Sequence, residues 1–222
     1  MRNFVVAIDG PAGSGKSSIS TIVSQRTGFT HVDTGAMFRA VTLYALENNI
    51  KLDDENAYGF LDDLKLIFKN DHTYLNGRDV SNEIRTDIIT NNVSTVAKIA
   101  RVREKMIEYE RESAKEGLIL MDGRDIGTVV LPNADLKVFL TASKEERAKR
   151  RLKENLERGI ETTYEQVLED IIARDYKDSH RAIAPLRCPE DAIVLDTTDL
   201  TIEQVVEKLI ELIDRGMGNG RI

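Results

Sequence analysis

Short apolar runs recur along the chain at Phe4–Ile8, Phe29–Val32, Leu118–Met121, Leu136–Leu140 and Ala192–Leu195. They are brief and partly β-branched, which predicts strands rather than helices, and Phe4–Ile8 reads as a buried one. Helical spacing fills most of the intervals between them. The clearest helix begins after Thr201, where Ile202, Val205, Val206, Leu209, Ile210 and Ile213 form one apolar stripe and Thr201 with Gln204 makes a capping box. Another starts at Ser143, with Glu146 three residues on. Strand alternating with helix predicts a parallel sheet covered on both faces. The segment from Leu64 to Val80 breaks that rhythm: Leu64–Phe68 and Thr73–Leu75 flank Asn70-Asp71, and Asn76-Gly77 follows. Two turn signals around short apolar runs predict an inserted hairpin or three-stranded antiparallel sheet. The glycine-rich tail Gly216–Gly220 is expected to fray.

Composition narrows the classes of function. With 222 residues, 41% hydrophobic and 31% charged, the chain can bury a sizeable core and is globular rather than disordered. Its net charge of −7 argues against a general nucleic-acid binder. Cys188 is the sole cysteine, so neither an intrachain disulfide nor a multi-cysteine metal site is available, and it reads as a passive thiol. There is no membrane-span pattern and no signal-peptide pattern, so a cytoplasmic location is expected.

The chemistry enters with Gly10-Pro11-Ala12-Gly13-Ser14-Gly15-Lys16-Ser17, which satisfies G-x-x-x-x-G-K-[ST] between a predicted strand and a helix containing Ile19, Ile22 and Val23. In that setting the loop amides and the helix N-terminus trap phosphate. Lys16 is expected to reach the β- and γ-phosphates and Ser17 to ligate Mg²⁺, with Ser18 completing the ATP-binding run. A P-loop does not name the reaction. No N-K-x-D of a guanine-nucleotide switch and no L-S-G-G-Q of a transporter ATPase occurs.

What the chain offers instead is arginine beside small polar or acidic residues. Asp33-Thr34-Gly35-Ala36-Met37-Phe38-Arg39 opens a helix; Arg39 suits a phosphate, and Thr34 can bind a ligand, cap the helix, or both. Met121-Asp122-Gly123-Arg124-Asp125-Ile126-Gly127 follows a predicted strand, where open α/β sheets bind ligands. There Asp122 can support Mg²⁺ through water, Arg124 a phosphate, and Asp125 an exocyclic amine. Arg147, Arg150 and Arg151 share one helix, with Lys149, Lys153 and Arg158 nearby; they read either as a solvated face, tied by Glu146 to Arg150, or as a lid carrying guanidiniums to the transferring phosphate. Arg174, Asp178 and Arg181 would share one helical face, either as an ion-pair ladder or as ligand contacts. His31, His72 and His180 form no catalytic pair.

Taken together these groups resemble the bacterial cytidylate kinase family of nucleoside monophosphate kinases, over nearly the whole chain. The resemblance is carried by the P-loop, by Asp33–Arg39, Val80–Arg85, Arg101–Arg103 and Ala182–Leu186, and most specifically by Asp122-Gly123-Arg124-Asp125-Ile126-Gly127-Thr128-Val129-Val130 followed by Pro132. It implies a three-layer P-loop NTPase fold: a five-stranded parallel sheet flanked by helices, an inserted small antiparallel sheet and a helical lid. It implies a core of residues 1–34, 97–142 and 182–222, a monophosphate-binding segment 35–96 and a lid 143–181. The implied reaction is ATP + CMP ⇌ ADP + CDP with dCMP as second acceptor, Mg²⁺ as cofactor, and no nucleic-acid, membrane or subunit partner. Arg39 and Arg124 are then expected to hold the acceptor phosphate, with Thr34 keeping a hydroxyl beside them. Ser94, Arg103 and Asp125 read cytosine, and Arg174, Asp178 and Arg181 lie at the ribose. Lys16, Arg124, Arg147 and Arg151 serve the transfer. Phe38 stands where tyrosine is expected, so no hydroxyl contact is implied there. A kinase for another acceptor, an ATP switch and an RNA-associated P-loop factor are the other readings.

Overall fold

The computed structural model describes residues 3–69, 72–157 and 159–219. The predicted Asn70-Asp71 turn, Arg158 and Gly220 of the predicted frayed tail lie outside the described residues. In chain order the elements are β1 (Phe4–Asp9), α1 (Lys16–Thr27), β2 (Thr30–Asp33), α2 (Thr34–Glu47), β3 (Leu66–Lys69), β4 (His72–Leu75), β5 (Arg78–Asp79), α3 (Asp87–Val96), α4 (Ala100–Ser113), β6 (Leu118–Asp122), β7 (Leu136–Thr141), α5 (Lys144–Glu157), α6 (Tyr164–His180), β8 (Ile193–Asp196) and α7 (Ile202–Asn219). The second strand starts one residue later than its apolar run suggests, and Phe29, just before it, packs in the core.

The main sheet has the order β2-β6-β1-β7-β8, and the recorded pairings of β1 with β6, β1 with β7 and β7 with β8 are parallel. Helices flank it, which makes the fold a three-layer P-loop NTPase architecture with a small three-stranded antiparallel sheet, β3-β4-β5, inserted. Asn76 and Gly77 both adopt positive φ (50° and 85°), as a tight hairpin turn between β4 and β5 requires.

The residues group into two compact units, one of 1–30 with 117–222 and one of 31–116. The first is built on one continuous core: Val6 and Ile8 of β1, Leu120 of β6, Val138 and Leu140 of β7, Ile19 and Val23 of α1, and Val205, Val206, Leu209 and Ile213 of α7. The stripe on α7 therefore buries at Val205, Val206, Leu209 and Ile213, with Ile210 packed at its margin; Ile202, expected in it, opens the helix and is 60% exposed. The Thr201–Gln204 capping box is present. The tail departs from expectation: α7 continues through Gly216 to Asn219. Gly216 lies against the Phe4 ring, and Met217 packs on the core, so burial holds a glycine-containing turn that its own propensity would release. A satellite cluster of Ala148, Val167 and Ile171 joins α5 to α6. In the second unit the buried face of α2, including Met37, Phe38 and Val41, supplies part of the interior.

Candidate active site

The P-loop begins where β1 ends. Gly10 is buried, with φ +151°, and a Cβ there would sit 2.0 Å from the main-chain oxygen of Leu140 in β7. Only a residue without a side chain lets the loop leave the strand so close to its neighbour. Gly15, in the left-handed region at φ 88°, is the N-cap of α1, so the helix starts at Lys16 with its free amides in the loop. Lys16 is buried and its amine donates to Gly10 O and Pro11 O, both 2.8 Å, and to Ser14 Oγ at 3.3 Å. The amine is thus folded onto its own loop. Burial and the charge of Arg124 push its pKa well down, against the pull of Asp122 and Asp9. A polyphosphate would supply the negative partner that the amine lacks.

Ser17 Oγ donates to Asp122 Oδ2 at 2.9 Å. That hydrogen bond joins the first turn of α1 to the carboxyl end of β6, a strand paired directly with β1. Hydroxyl and carboxylate are the hard oxygen donors that Mg²⁺ takes when substrate phosphates and water complete its shell. No cluster of three or more His, Cys, Asp or Glu suited to an all-protein metal cage occurs among the described residues. The donor set therefore fits a magnesium ion carried by a nucleotide.

Beyond Asp122 the loop is held by two ion pairs, one buried on both sides (Arg181–Asp125) and one in which Asp178 is buried and Arg124 partly exposed. Arg124 Nε donates to Asp178 Oδ2 at 3.1 Å, and Arg181 Nη2 donates to Asp125 Oδ1 at 2.9 Å. Burial alone would raise the Asp178 carboxyl; the charges of Arg124, Arg174 and Arg181 override it and keep it below the ordinary range. Asp178 is on α6, but Arg181 is not: α6 ends at His180 and Arg181 turns into extended backbone, with Nε on Ala184 O at 2.6 Å. The single helical face expected for Arg174, Asp178 and Arg181 is corrected accordingly. The chain leaves the helix so that the third side chain reaches Asp125 from a loop.

The three arginines of α5 have separate partners. Arg147 is buried and donates to Ala12 O of the P-loop at 2.8 Å and to Ala142 O at 3.0 Å, and it pairs with Asp175 at 2.7 Å. Arg150 is tied to Glu146, as expected, and also to the backbone oxygen and hydroxyl of Thr197. Arg151 pairs with Glu154. Ser18, on α1, is exposed.

Within the second unit, Asp33 and not Thr34 caps α2: its Oδ1 accepts from the Ala36 amide at 2.9 Å, while Oδ2 pairs with Arg39 at 2.9 Å. Thr34 is the first residue of the helix, past the cap position, so its capping role is corrected. Burial works against the Asp33 charge, yet Arg39, Arg85 and His31 and the Ala36 amide hold its pKa below normal. Arg103 of α4 is 2% exposed, bonds Ala97 O at 3.3 Å, and lies with its guanidinium carbon 5.5 Å from the Phe38 ring centroid. Phe38 therefore supports an arginine through its ring face, a task that needs no hydroxyl. Ser94 is buried on α3. Cys188 is exposed, and partial desolvation of its sulfur, with the nearby Asp9 charge, raises its pKa, which suits an inert thiol.

Two carboxylates were missed in the sequence. Asp175 sits beside Arg174 and pairs with Arg147 across two helices, a contact that no local spacing announces. Asp9 closes β1 and is 1% exposed; the signal was a lone charge at the end of a wholly apolar strand. Burial pushes Asp9 up from 3.8 to about 6, with the Gly127 and Ile126 amides pulling the other way. A raised native pKa means that the fold binds this proton more tightly than the unfolded chain does. Its stabilising contribution is full below the unfolded value and is lost as pH rises through about 6. The loss is on the order of 3 kcal/mol at one pKa unit per 1.36 kcal/mol. Thermal unfolding of the wild type should therefore fall relative to that of Asp9→Asn between about pH 4 and about pH 7. A gap that does not change with pH would mean that the carboxyl titrates normally.

A phosphate-binding loop on a parallel sheet, with a helix hydroxyl bonded to a carboxylate at the neighbouring strand end and an arginine on the following loop paired to a buried helix carboxylate, defines a P-loop phosphotransferase. Among solved structures the fold is similar to an uncharacterized protein from Eubacterium ventriosum (TM-score 0.55, 11% identity, 96% of this chain and 99% of that one). It is also similar to a gluconokinase from Sinorhizobium meliloti (TM-score 0.53, 13% identity, 98% and 97%). In sequence, the family model for cytidylate kinase matches residues 6–215. A cytidylate kinase of Acholeplasma laidlawii is 51% identical over 98% of both chains, and one from Streptococcus pneumoniae is 49% identical over 94% of this chain and 96% of its own. The chain belongs to the cytidylate kinase family.

Proposed function

We propose that the protein transfers the γ-phosphate of ATP to CMP, and to dCMP, giving ADP and CDP or dCDP. Beside the family membership, one observation supports the acceptor half most directly. The pairs Arg124–Asp178 and Arg181–Asp125 build a second cluster of arginines on buried carboxylates, in the same unit as the P-loop. A nucleotide switch has no use for one.

The attacking group is an oxygen of the acceptor phosphate, already ionised near neutral pH, so the chain has only to align two anions, screen their repulsion and keep out water. Gly10 to Ser18 grip the donor, with Lys16 leaving its carbonyl cradle for the phosphates. Mg²⁺, when bound, screens the phosphate charges; Ser17 would hold it directly and Asp122 through water. Thr34, Arg39 and Arg124 bind the acceptor phosphate, and Ser94, Arg103 and Asp125 read the base. A carboxylate accepts from the cytosine N4 amine, and an arginine donates to N3 and O2. Arg174 and Asp178 contact the ribose, with Arg181 close to the same pocket. Residues 143–181 act as the lid, bringing Arg147 and Arg151 to the transferring group, with 35–96 as the monophosphate segment and the rest as core. No helix among the described residues is long and apolar enough to cross a membrane. A cytoplasmic location and a monomeric state belong to the same proposal.

An acceptor panel with ATP in a coupled ADP assay tests this reading: CMP should lead by a wide margin, and turnover of ATP alone with no acceptor would sink it. In the same assay Asp125→Ala should raise KM for CMP by about 10- to 100-fold, the size of a lost charge-assisted hydrogen bond, with ATP affinity nearly unchanged. Equal losses for both ligands would count against base reading. The variant should also lose on the order of 3 kcal/mol of stability, because Arg181 is left buried without that carboxylate.

A further inference from the structure

We infer that Asp9 is a positioning residue for phosphoryl transfer: its buried carboxylate fixes the loop that bears Arg124 and Asp125 to the strand end from which the P-loop springs. The inference rests on the phosphotransferase reading above and adds a residue to it.

The geometry is specific. In the β1–β6 ladder Ile8 stands opposite Asp122, and the Gly123 amide still bonds Ile8 O at 3.0 Å. After Gly123 the chain leaves the ladder. Residues Ile126–Val130 then form one wide π-type turn, closed by Val130 N–H to Asp125 O and Leu131 N–H to Ile126 O at 3.2 and 2.7 Å. The leading amides of such a turn have no partner inside it, and Asp125 contributes no side-chain cap. Asp9 supplies both acceptors from another strand: Oδ1 takes the Ile126 amide at 2.8 Å and Oδ2 the Gly127 amide at 2.7 Å.

Asp9 immediately precedes Gly10, and Asp125 immediately precedes Ile126. One carboxylate thus sets the distance between the first glycine of the donor loop and the two side chains assigned to the acceptor. At 1% exposure it acts through the loop and not on a ligand. Each oxygen serves one amide, so the link has no slack. In phosphoryl transfer a misplacement of about 1 Å can cost on the order of 10²-fold.

The test is Asp9→Asn, which keeps the size but turns an amide donor toward one of the two N–H groups. We expect kcat to fall about 10- to 100-fold and KM for CMP to rise about 10-fold, with ATP affinity, titrated separately, within about threefold of wild type. Amide hydrogen exchange at Gly127 should quicken at least about tenfold. Gly127→Ala approaches the same link from the other side: a methyl there would meet Pro189 Cγ at 3.0 Å, Lys137 Cδ at 3.1 Å and Asp9 Oδ2 at 3.4 Å. It should reproduce the kinetic split with the carboxylate intact, and it decides the matter if Asp9→Asn does not fold. Parallel loss of CMP and ATP affinity, or unaltered CMP kinetics in folded variants, overturns the inference. If the wild type itself fails to phosphorylate CMP, the functional reading falls first, and the exchange rate at Gly127 alone then judges the anchor.

Discussion

Lys16→Ala should lose about 10³-fold or more in turnover while its far-UV circular dichroism stays that of the wild type, a loss comparable with that of other charge-stabilising groups in phosphoryl transfer. The reason lies in where the amine is held. It is buried and donates to two P-loop carbonyls and a hydroxyl, all from its own loop. Removing it deprives Gly10 O and Pro11 O of a donor, at about 1–3 kcal/mol for each carbonyl that water cannot reach. It also removes a buried charge whose burial is itself unfavourable, so the fold survives. Lys16→Arg should be nearly as inactive, because a planar fork cannot replace a point donor in that cradle. A coupled ADP assay with CMP reads both variants. Turnover within tenfold of wild type, a cost of only about 1.4 kcal/mol, would remove Lys16 from the chemistry.

Gly10→Ala is expected to be the most damaging single methyl group in the molecule. It would have to occupy space 2.0 Å from Leu140 O, a main-chain atom of a central strand, at a backbone φ of +151° that side-chain-bearing residues avoid. Neither partner can swing away, unlike the end of a flexible side chain. Strain and overpacking together should cost on the order of 3–6 kcal/mol. For a chain of this length that is a fall in melting temperature of roughly 10–20 °C. Scanning calorimetry of the two proteins side by side checks it. An unchanged melting temperature would mean that β7 and the loop are not in the contact described.

Local patterns carried a good deal of this. Gly10–Ser17 was readable because a phosphate cradle needs its residues contiguous, and the Thr201–Gln204 box because its two hydrogen bonds span one turn. The Asn76-Gly77 turn was readable for the same reason. The failures are also local readings, made where distant residues decide. Thr34 has a capping side chain, but Asp33, one residue earlier, takes the cap and Arg39 together. Gly216 should loosen a helix end, but Phe4 and the core hold it. Arg181 continues the i, i+4, i+7 series, but its helix stops at His180.

The order of strands and helices, the phosphate loop and the families of arginines were determined by the sequence itself, since each depends on neighbours within a few residues and on side-chain chemistry alone. Apart from the local Glu146–Arg150 tie, which partner each buried carboxylate meets was decided only in three dimensions. Asp9 with the Ile126 and Gly127 amides, Asp175 with Arg147, Asp178 with Arg124 and Arg181 with Asp125 are all far apart along the chain or on different elements. A buried charge takes whichever partner the packed sheet and helices deliver to it, and no periodicity along the chain encodes that choice.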